Sequence, residues 1–424
     1  MGKRLGLDKR PLLGLEAWCD TKAAWDAVNT GKPYPVRALF AQAGNALHQD
    51  NCTYVWETMK KIDFFLDIDL WHTPTNEMAD IKLPAQHWLE VNSPRKNQGA
   101  SGAMGATVQC IKPLSDTKSD NEICELMYKE WGQPYHPDPK NPWPGEEAHL
   151  NAQVAGMGLT WKEYVDKFQR DGWWDLKKVN PDDWGTYRRY EMGVLRPGTV
   201  TLMSHPVDSS RPYTPADQIK RVPGFGTPTG KQEIWSTIIE TLHPGENQEL
   251  PQFVEPPLSP VRRPDLYKNY PLMLITGRRI PMYFHSEHRQ LPWLRELWPV
   301  PKLEIHPETA EKYNIAQGDW VWVESPHGKI RLWADIYLGI SPEVISSDHR
   351  WWFPEAPAPK RGFHYSEVNV LVDHDAQDPL IATYQVRGYP VKIYKAKEGA
   401  PEGIITSSDD PRLKKWLPDY TGRT

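Results

Sequence analysis

Cysteines are few in this sequence, and they lie far apart. The 424 residues include four, at Cys19, Cys52, Cys110 and Cys124. No two have the short spacing that zinc and iron–sulfur sites usually need. We therefore expect buried or incidental thiols and no metal cluster built from these cysteines.

The sequence also lacks a strong charge excess and a long apolar run. The net charge is -5 and the pI is about 6.3, which predicts no basic surface for nucleic acid. No apolar run approaches the ~20 residues of a transmembrane helix, and no signal-peptide stretch follows the first residues. We expect a soluble chain with no nucleic-acid partner and no membrane span. Its compartment, cytoplasm or periplasm, would be set by sequence N-terminal to it.

Tryptophan and proline are abundant, with 20 and 41 residues respectively. Proline removes backbone donors and tryptophan supplies large contact area, so this combination indicates long irregular segments held by large side chains. A tryptophan-rich surface could also bind sugars. A non-catalytic carbohydrate-binding or scaffolding protein is therefore the alternative from another functional class.

The N-terminal part has the pattern of a βαβ unit. A capped helix is predicted at 20–31, a strand at 36–42, a helix at 53–61 and a second, strongly apolar strand at 64–70. In such a unit the loop after the first strand can bring backbone amides to a phosphate, and an acid that ends the second strand can bind a ribose or a base.

Gly44 and Asp69 occupy these two positions, and their separation is near the roughly 20 residues expected for a nucleotide-binding fold. The alternatives are that Gly44 serves only the turn, and that Asp69 caps the loop at 73–75. The spacing alone leaves both readings open.

The rest of the chain divides into an irregular middle and a β-rich end. Helices are predicted at 160–170 and 231–242 within a segment rich in Pro, Gly and Trp. Short strands at 272–275, 320–323 and 328–335 predict a compact β-barrel. The fold class is α/β plus all-β: a dinucleotide-binding α/β domain, an irregular middle segment and a C-terminal barrel.

Several segments, in the same order, resemble the C-terminal half of the large molybdopterin oxidoreductases of the dimethyl sulfoxide reductase family. They are residues 69–84, 227–233, 270–296 and the turn at 318–321. The resemblance implies a double-psi β-barrel at 266–400, a partial α/β dinucleotide-binding domain at 1–130, a connecting segment at 131–265 and a tail at 401–424. It also implies a bis-molybdopterin guanine dinucleotide cofactor carrying molybdenum or tungsten.

The resemblance further implies roles for individual residues. Gly44 and Asn45 would face diphosphate or ribose, Asp69 would bind guanine or ribose, and Thr73 would line the same loop. The expected cofactor contacts of the barrel are Gly277 and Arg278 near the cofactor, His285 and Ser286 near pterin or phosphate, and Asn369 near a pterin ring.

Some of these residues have other interpretations. Arg278 and Arg279 could pair with acids around Glu287, and His285 could be a core histidine. The Trp-Trp-Phe run at 351–353 is interpreted as core packing rather than a substrate box. His349 and Glu355 are further candidates for residues that line a substrate funnel.

The sequence departs from the family pattern at two places. Arg350 stands where related barrels often have glycine. Glu367 stands where relatives often have the first asparagine of a Ser-Asn-x-Asn run, which puts the contact of that asparagine in doubt.

Two expected features of the family were not found in this sequence: the cysteine cluster that binds a [4Fe–4S] centre, and a segment with the metal-ligating residue. We expect both to lie in an N-terminal half or subunit of the same enzyme, so that this chain is a fragment or one product of a split gene. An Fe–S electron-transfer subunit and a small-molecule substrate are the further expected partners. The related subgroup includes sulfur-compound reductases, non-redox hydratases and aromatic hydroxyl-transfer enzymes.

Overall fold

The computed structural model describes residues 5–16, 19–96, 103–135, 140–172, 174–175, 233–276 and 280–415. The chain forms two compact units: Met1–Lys82 together with Phe253–Thr424, and Leu83–Gln252. The first unit therefore combines the predicted βαβ segment with the predicted barrel. The division into four domains stays a prediction.

The βαβ prediction is confirmed in the first unit. Helix α1 (Thr21–Thr30) is capped by the Asp20 carboxylate, and Gly31 ends it in the left-handed conformation with φ 70°. Strands β1 (Ala38–Gln42) and β2 (Phe64–Asp69) are parallel. Helix α2 (Cys52–Met59) connects them, and a short β3 (Ile81–Pro84) completes the sheet in the order β1-β2-β3.

Six strands of the first unit close into a barrel, which confirms the β-barrel prediction at this level. The strands are β7 (Leu272–Ile275), β8 (Lys302–Ile305), β9 (Trp320–Ser325), β10 (Gly328–Ile336), β11 (Val344–Ser347) and β12 (Tyr389–Lys395). They pair in the closed order β10-β8-β11-β7-β12-β9. The predicted double-psi topology stays a prediction.

The barrel and the βαβ segment share one hydrophobic core. Leu274, Leu303 and Ile330 inside the barrel are fully buried and belong to the same cluster as Val55 and Trp56 of α2. Each such aliphatic side chain contributes about 1.5–3 kcal/mol when it is removed from water. The side chains around the two predicted halves of the site are thus held by one packed interior.

A second cluster lies beneath the loop that follows β7. Trp351 and Phe353 are completely buried in it, beside Ile280 and Tyr283. This confirms the interpretation of 351–353 as core packing.

The first unit also contains short helices. Their bounds are α7 (Pro264–Tyr267), α8 (Pro292–Leu297), α9 (Pro307–Lys312), α10 (Phe363–Ser366) and α11 (Pro411–Lys415).

The second unit contains an antiparallel sheet and several helices. Its strands pair in the order β4 (Ser93–Lys96), β5 (Ala103–Thr107) and β6 (Trp174–Asp175). Its helices are α3 (Asp120–Glu130), α4 (Glu146–Val154), α5 (Trp161–Asp171) and α6 (Thr237–Leu242). The predicted helix at 160–170 is confirmed as α5, where Thr160 and Glu163 form a capping box. Only the later half of the predicted helix at 231–242 is helical among the described residues.

In the part of the chain that the structure describes, no helix combines the length and the apolar character needed to cross a membrane.

Candidate functional site

The loop after β1 places a free amide group at the carboxyl end of the sheet. The side-chain oxygen of Asn45 accepts a hydrogen bond from the Thr75 hydroxyl, while its amide nitrogen is buried without a hydrogen-bond partner among the residues that the structure describes. A buried polar group without a partner costs about 1–3 kcal/mol. The unused donor therefore points to a ligand that would accept from it.

Gly44 is not required by the folded chain itself. Its φ lies outside the left-handed region, and a Cβ added there would meet only the Gln42 carbonyl oxygen, at 3.5 Å. This open backbone suits the close approach of a phosphate to a loop. The preceding residue, Ala43, does adopt a left-handed φ of 50°.

Asp69 ends β2 next to this loop. One carboxylate oxygen accepts a hydrogen bond from the Trp71 backbone N–H at 3.0 Å. Burial raises the pKa of Asp69 to about 6, and the negative charges of Asp67 and Glu287 add to the shift. Because Glu287 belongs to the loop after β7, Asp69 lies within electrostatic reach of the barrel. Its carboxylate is held half-desolvated, which is unfavourable unless a donor pairs with it.

Thr73 and Asp67 have local partners. The Thr73 hydroxyl accepts from the Asn76 backbone N–H at 3.1 Å, and the Asn76 side chain donates to Asp67 at 2.9 Å. Asp67 is completely buried, and this burial raises its pKa. Both residues therefore shape the loop after β2, and a cofactor contact of Thr73 stays a prediction.

On the barrel side, two histidines meet. His285 Nδ1 lies 3.2 Å from His349 Nε2, and His285 adopts a left-handed φ of 51°. Burial lowers the pKa of His349 to about 4, helped by the positive charges of Arg289, His285 and Arg350. His349 is therefore neutral at pH 7.

A buried arginine fixes this histidine pair. Arg289 donates to the backbone carbonyl of His285, and to that of His349 at 2.9 Å. Its guanidinium carbon lies 4.8 Å from the ring centre of Tyr283 and 4.7 Å from that of Trp351. Burial lowers the pKa of Arg289 to about 10, so it stays charged at neutral pH.

Three further residues predicted to contact the cofactor belong to this loop. Ser286 is buried, and its carbonyl accepts from Trp352 Nε1 at 2.7 Å. Gly277 and Arg278 lie outside the described residues, as does Arg279. Their predicted contacts stay predictions.

Glu367 joins the βαβ segment to the barrel. One of its carboxylate oxygens lies 2.8 Å from His48 Nδ1, and the other accepts from the backbone N–H groups of Arg350 and Asn369, both at 3.2 Å. The Asn369 side chain donates to the His48 carbonyl at 2.9 Å. Sequence reasoning marked Glu367 as a departure but missed its partner, because nothing in the sequence singles out His48.

The same place contains a group of side chains that could hold a metal ion. The ligand atoms of His48, Cys52 and Glu367 lie within 4.8 Å of one another, and all three residues are buried. Burial raises the pKa of the Cys52 thiol well above its usual value, with Glu367 and Asp50 adding to the shift. The raised pKa keeps the thiol protonated at neutral pH, and within this cluster His48 and Glu367 are joined by a hydrogen bond.

Glu355 is not free for a substrate. It forms a two-bond ion pair with Arg295, at 2.9 and 3.1 Å, and accepts from the Ile405 backbone N–H at 2.7 Å. Arg295 is completely buried. Glu355 therefore neutralises a buried charge and is not available to line a substrate funnel.

Together these elements offer chemistry that suits a guanine dinucleotide. Asn45 supplies an amide donor, Gly44 an open backbone, and Asp69 a carboxylate that can accept from a guanine edge. The described residues of the site thus fit such a group.

Comparisons with known proteins agree with this chemistry. Residues 272–390 match the family described as Molydopterin dinucleotide binding domain. The chain is 46% identical to dopamine dehydroxylase of Eggerthella lenta, over 99% of this chain and 45% of that protein. It is 29% identical to acetylene hydratase of Syntrophotalea acetylenica, over 86% of this chain and 45% of that protein.

A solved structure is also similar. Acetylene hydratase from Pelobacter acetylenicus matches with a TM-score of 0.75 and 25% identity, over 93% of this chain and 52% of that one. The chain spans about half the length of the curated relatives it matches. These findings do not favour the carbohydrate-binding or scaffolding alternative.

Proposed function

Because the chain belongs to the molybdopterin oxidoreductases of the dimethyl sulfoxide reductase family, we propose that it binds a bis-molybdopterin guanine dinucleotide cofactor with molybdenum or tungsten. The proposal is carried by two groups at the same edge of the sheet. They are the Asn45 amide, which has no hydrogen-bond partner among the described residues, and the half-desolvated Asp69 carboxylate. Both lie at the carboxyl ends of adjacent parallel strands, where nucleotide ligands usually bind.

Each side of the site would hold a different part of the cofactor. Gly44 and Asn45 would donate to diphosphate, and Asp69 would accept hydrogen bonds from guanine. His285, Ser286 and Asn369 would contact pterin or phosphate from the barrel. When bound, the cofactor would supply a redox-active metal, while these residues orient it and exclude water.

The remaining parts of the catalytic centre would come from elsewhere. The proposed partners are an N-terminal half or subunit with a [4Fe–4S] cluster and the metal ligand, and an Fe–S electron-transfer subunit. Two facts support this: the four cysteines are widely separated, and the matched relatives are about twice as long.

The proposed reaction of the complete enzyme is removal of a hydroxyl group from a small phenolic compound. The support is the 46% identity with dopamine dehydroxylase. This reaction consumes two electrons and two protons for each hydroxyl group that leaves as water and is replaced by hydrogen. Hydration without net redox change is the second candidate, favoured by the match to acetylene hydratase.

Cofactor binding is tested by isolating the chain from a host that makes the cofactor. Acid hydrolysis of the bound material should release GMP, and metal analysis after the partner polypeptides are added should find molybdenum or tungsten. Absence of GMP from the folded chain would contradict the proposal. With the partner polypeptides added, loss of a phenolic hydroxyl driven by a reduced dye would distinguish dehydroxylation from hydration, which consumes no dye.

A further inference from the structure

The backbone at Arg350 is held in an uncommon conformation. Its φ is 55°, in the left-handed region that side chains other than glycine rarely adopt. Residues held in this region persist where the surroundings fix them, and they concentrate at functional sites. Glycine would fit this backbone without strain, so the presence of arginine points to a role for its side chain.

Glu367 is what fixes this backbone. The carboxylate is completely buried, and it accepts from the Arg350 N–H while its other oxygen is bonded to His48. The hydrogen bonds of the Glu367 carboxylate therefore hold the loop at Arg350 in place. It makes no hydrogen bond or ion pair with the Arg350 guanidinium within the described ranges.

The Arg350 guanidinium is unlike the others of the barrel region. Six arginines in residues 280–415 are not exposed, and five of them donate from the guanidinium to a carbonyl or a carboxylate. These five are Arg289, Arg295, Arg331, Arg361 and Arg412. Among the residues that the structure describes, Arg350 has no such partner. A half-buried guanidinium without a partner suits an oxyanion, which it can bind through two parallel hydrogen bonds.

Arg350 lies beside the βαβ segment, because the Glu367 carboxylate that accepts from its backbone N–H also lies 2.8 Å from His48 Nδ1. The positive charge of the Arg350 guanidinium partly offsets the raised pKa of the Cys52 thiol and of the Tyr384 hydroxyl. The same charge contributes to the lowered pKa of His349. Cys52 is the first residue of α2, seven positions after Asn45 with its partnerless amide. The acids on this side are Glu367 and Asp50, both buried.

We propose that Arg350 is a phosphate-binding residue, and that its guanidinium binds the diphosphate of the dinucleotide. Glu367 acts as the positioning residue that presents it. This inference rests on the proposed cofactor binding, and it adds an anchor at a position where the sequence departs from its family.

The test uses the full chain and three probes: guanosine, GDP and inorganic pyrophosphate, with binding measured by titration calorimetry. The wild-type chain should bind GDP more tightly than guanosine. Arg350→Gly should weaken GDP and pyrophosphate binding by ~10- to 100-fold, the loss expected for a charge-assisted hydrogen bond, and leave guanosine binding unchanged. Arg350→Lys should retain part of the difference.

Two controls accompany these variants. Arg387→Gly removes an exposed arginine from the same barrel and should change no affinity. Arg350→Gly relieves the left-handed strain, so its thermal unfolding should occur at or above the wild-type temperature.

The outcomes separate the two proposals. Equal GDP affinity in wild type and Arg350→Gly overturns the role of Arg350 and leaves cofactor binding intact. Loss of pyrophosphate binding in Arg350→Gly, with no binding of guanosine to either chain, supports the anion site and counts against the guanine site. If the wild-type chain binds none of the probes, both proposals are wrong.

Discussion

At the scale of single residues, Asp69 links stability to ligand binding. Burial raises its pKa to about 6, above the value of ~3.9 for an unfolded chain. A raised carboxyl pKa gives stability that is complete below the unfolded pKa and is lost as pH rises through about 6. Guanine binding needs the ionised carboxylate of Asp69. In the free protein this ionised form lowers the stability of the fold.

Asp69→Asn should separate these two effects. Compared with wild type, the variant should unfold at a higher temperature at pH 8, with a gain on the order of 2 kcal/mol or less, and at the same temperature at pH 4. It should also release GMP-containing material on purification. The matched control is Asp67→Asn, which lies on the same strand but is completely buried against Asn76. It should change stability much more than nucleotide retention, and equal retention by both variants would remove the assignment of Asp69.

The buried ion pair between Arg295 and Glu355 predicts a different kind of loss. Glu355→Ala leaves a completely buried guanidinium without its carboxylate, which should cost about 3–5 kcal/mol. The pair of Arg412 and Asp410 is partly exposed, and Asp410→Ala should cost below about 1 kcal/mol. Denaturant unfolding of both variants measures the difference. A similar, small cost for both would mean that water reaches Arg295.

Which site residues were predictable depends on how far apart their partners lie. Gly44 and Asp69 could be predicted to lie near each other because one βαβ unit spaces them along a short stretch of sequence. Glu367 and His48 are 319 residues apart, so no local pattern could pair them. Their contact follows from how the barrel packs on the βαβ segment.

At the scale of elements, local signals predicted local structure well. Asp20 and Gly31 marked helix ends that the structure contains. Helix α4 was missed because it lies in a segment dominated by proline and glycine, where apolar periodicity is weak. The closure of six strands into one barrel depends on pairing between distant strands, which strand patterns do not specify.

The shared core predicts that α2 and the barrel unfold together. Leu303→Ala in β8 and Val55→Ala in α2 both remove fully buried side chains from one cluster. Leu303→Ala should cost about 2–5 kcal/mol, Val55→Ala somewhat less, and both should shift a single transition in circular dichroism. Leu338→Ala is the control, because this leucine is 78% exposed and should shift unfolding by less than about 0.5 kcal/mol. Two separate transitions in the Val55 variant would show that the βαβ segment folds independently.

At the scale of the whole molecule, the prediction concerns what this chain does without partners. Metal-dependent turnover needs a metal ligand and an electron route, and we propose that both come from other polypeptides. The 424-residue chain alone should therefore retain nucleotide and show no turnover. Adding an N-terminal polypeptide with a cysteine cluster should produce a complex in size-exclusion chromatography, metal binding and reductant-dependent activity.

Metal retention and turnover by the isolated chain would point to a metal ligand among its own residues. If the isolated chain retained molybdenum and turned over a substrate, a metal ligand would have to lie within it. Glu355 is occupied by Arg295, whereas the lowered pKa of His349, about 4, keeps its imidazole neutral and able to donate an electron pair. His349→Ala would then abolish metal retention, while His327→Ala, which alters a partly exposed histidine on the same barrel, would leave it unchanged. Metal retention by both variants would exclude His349 as the ligand.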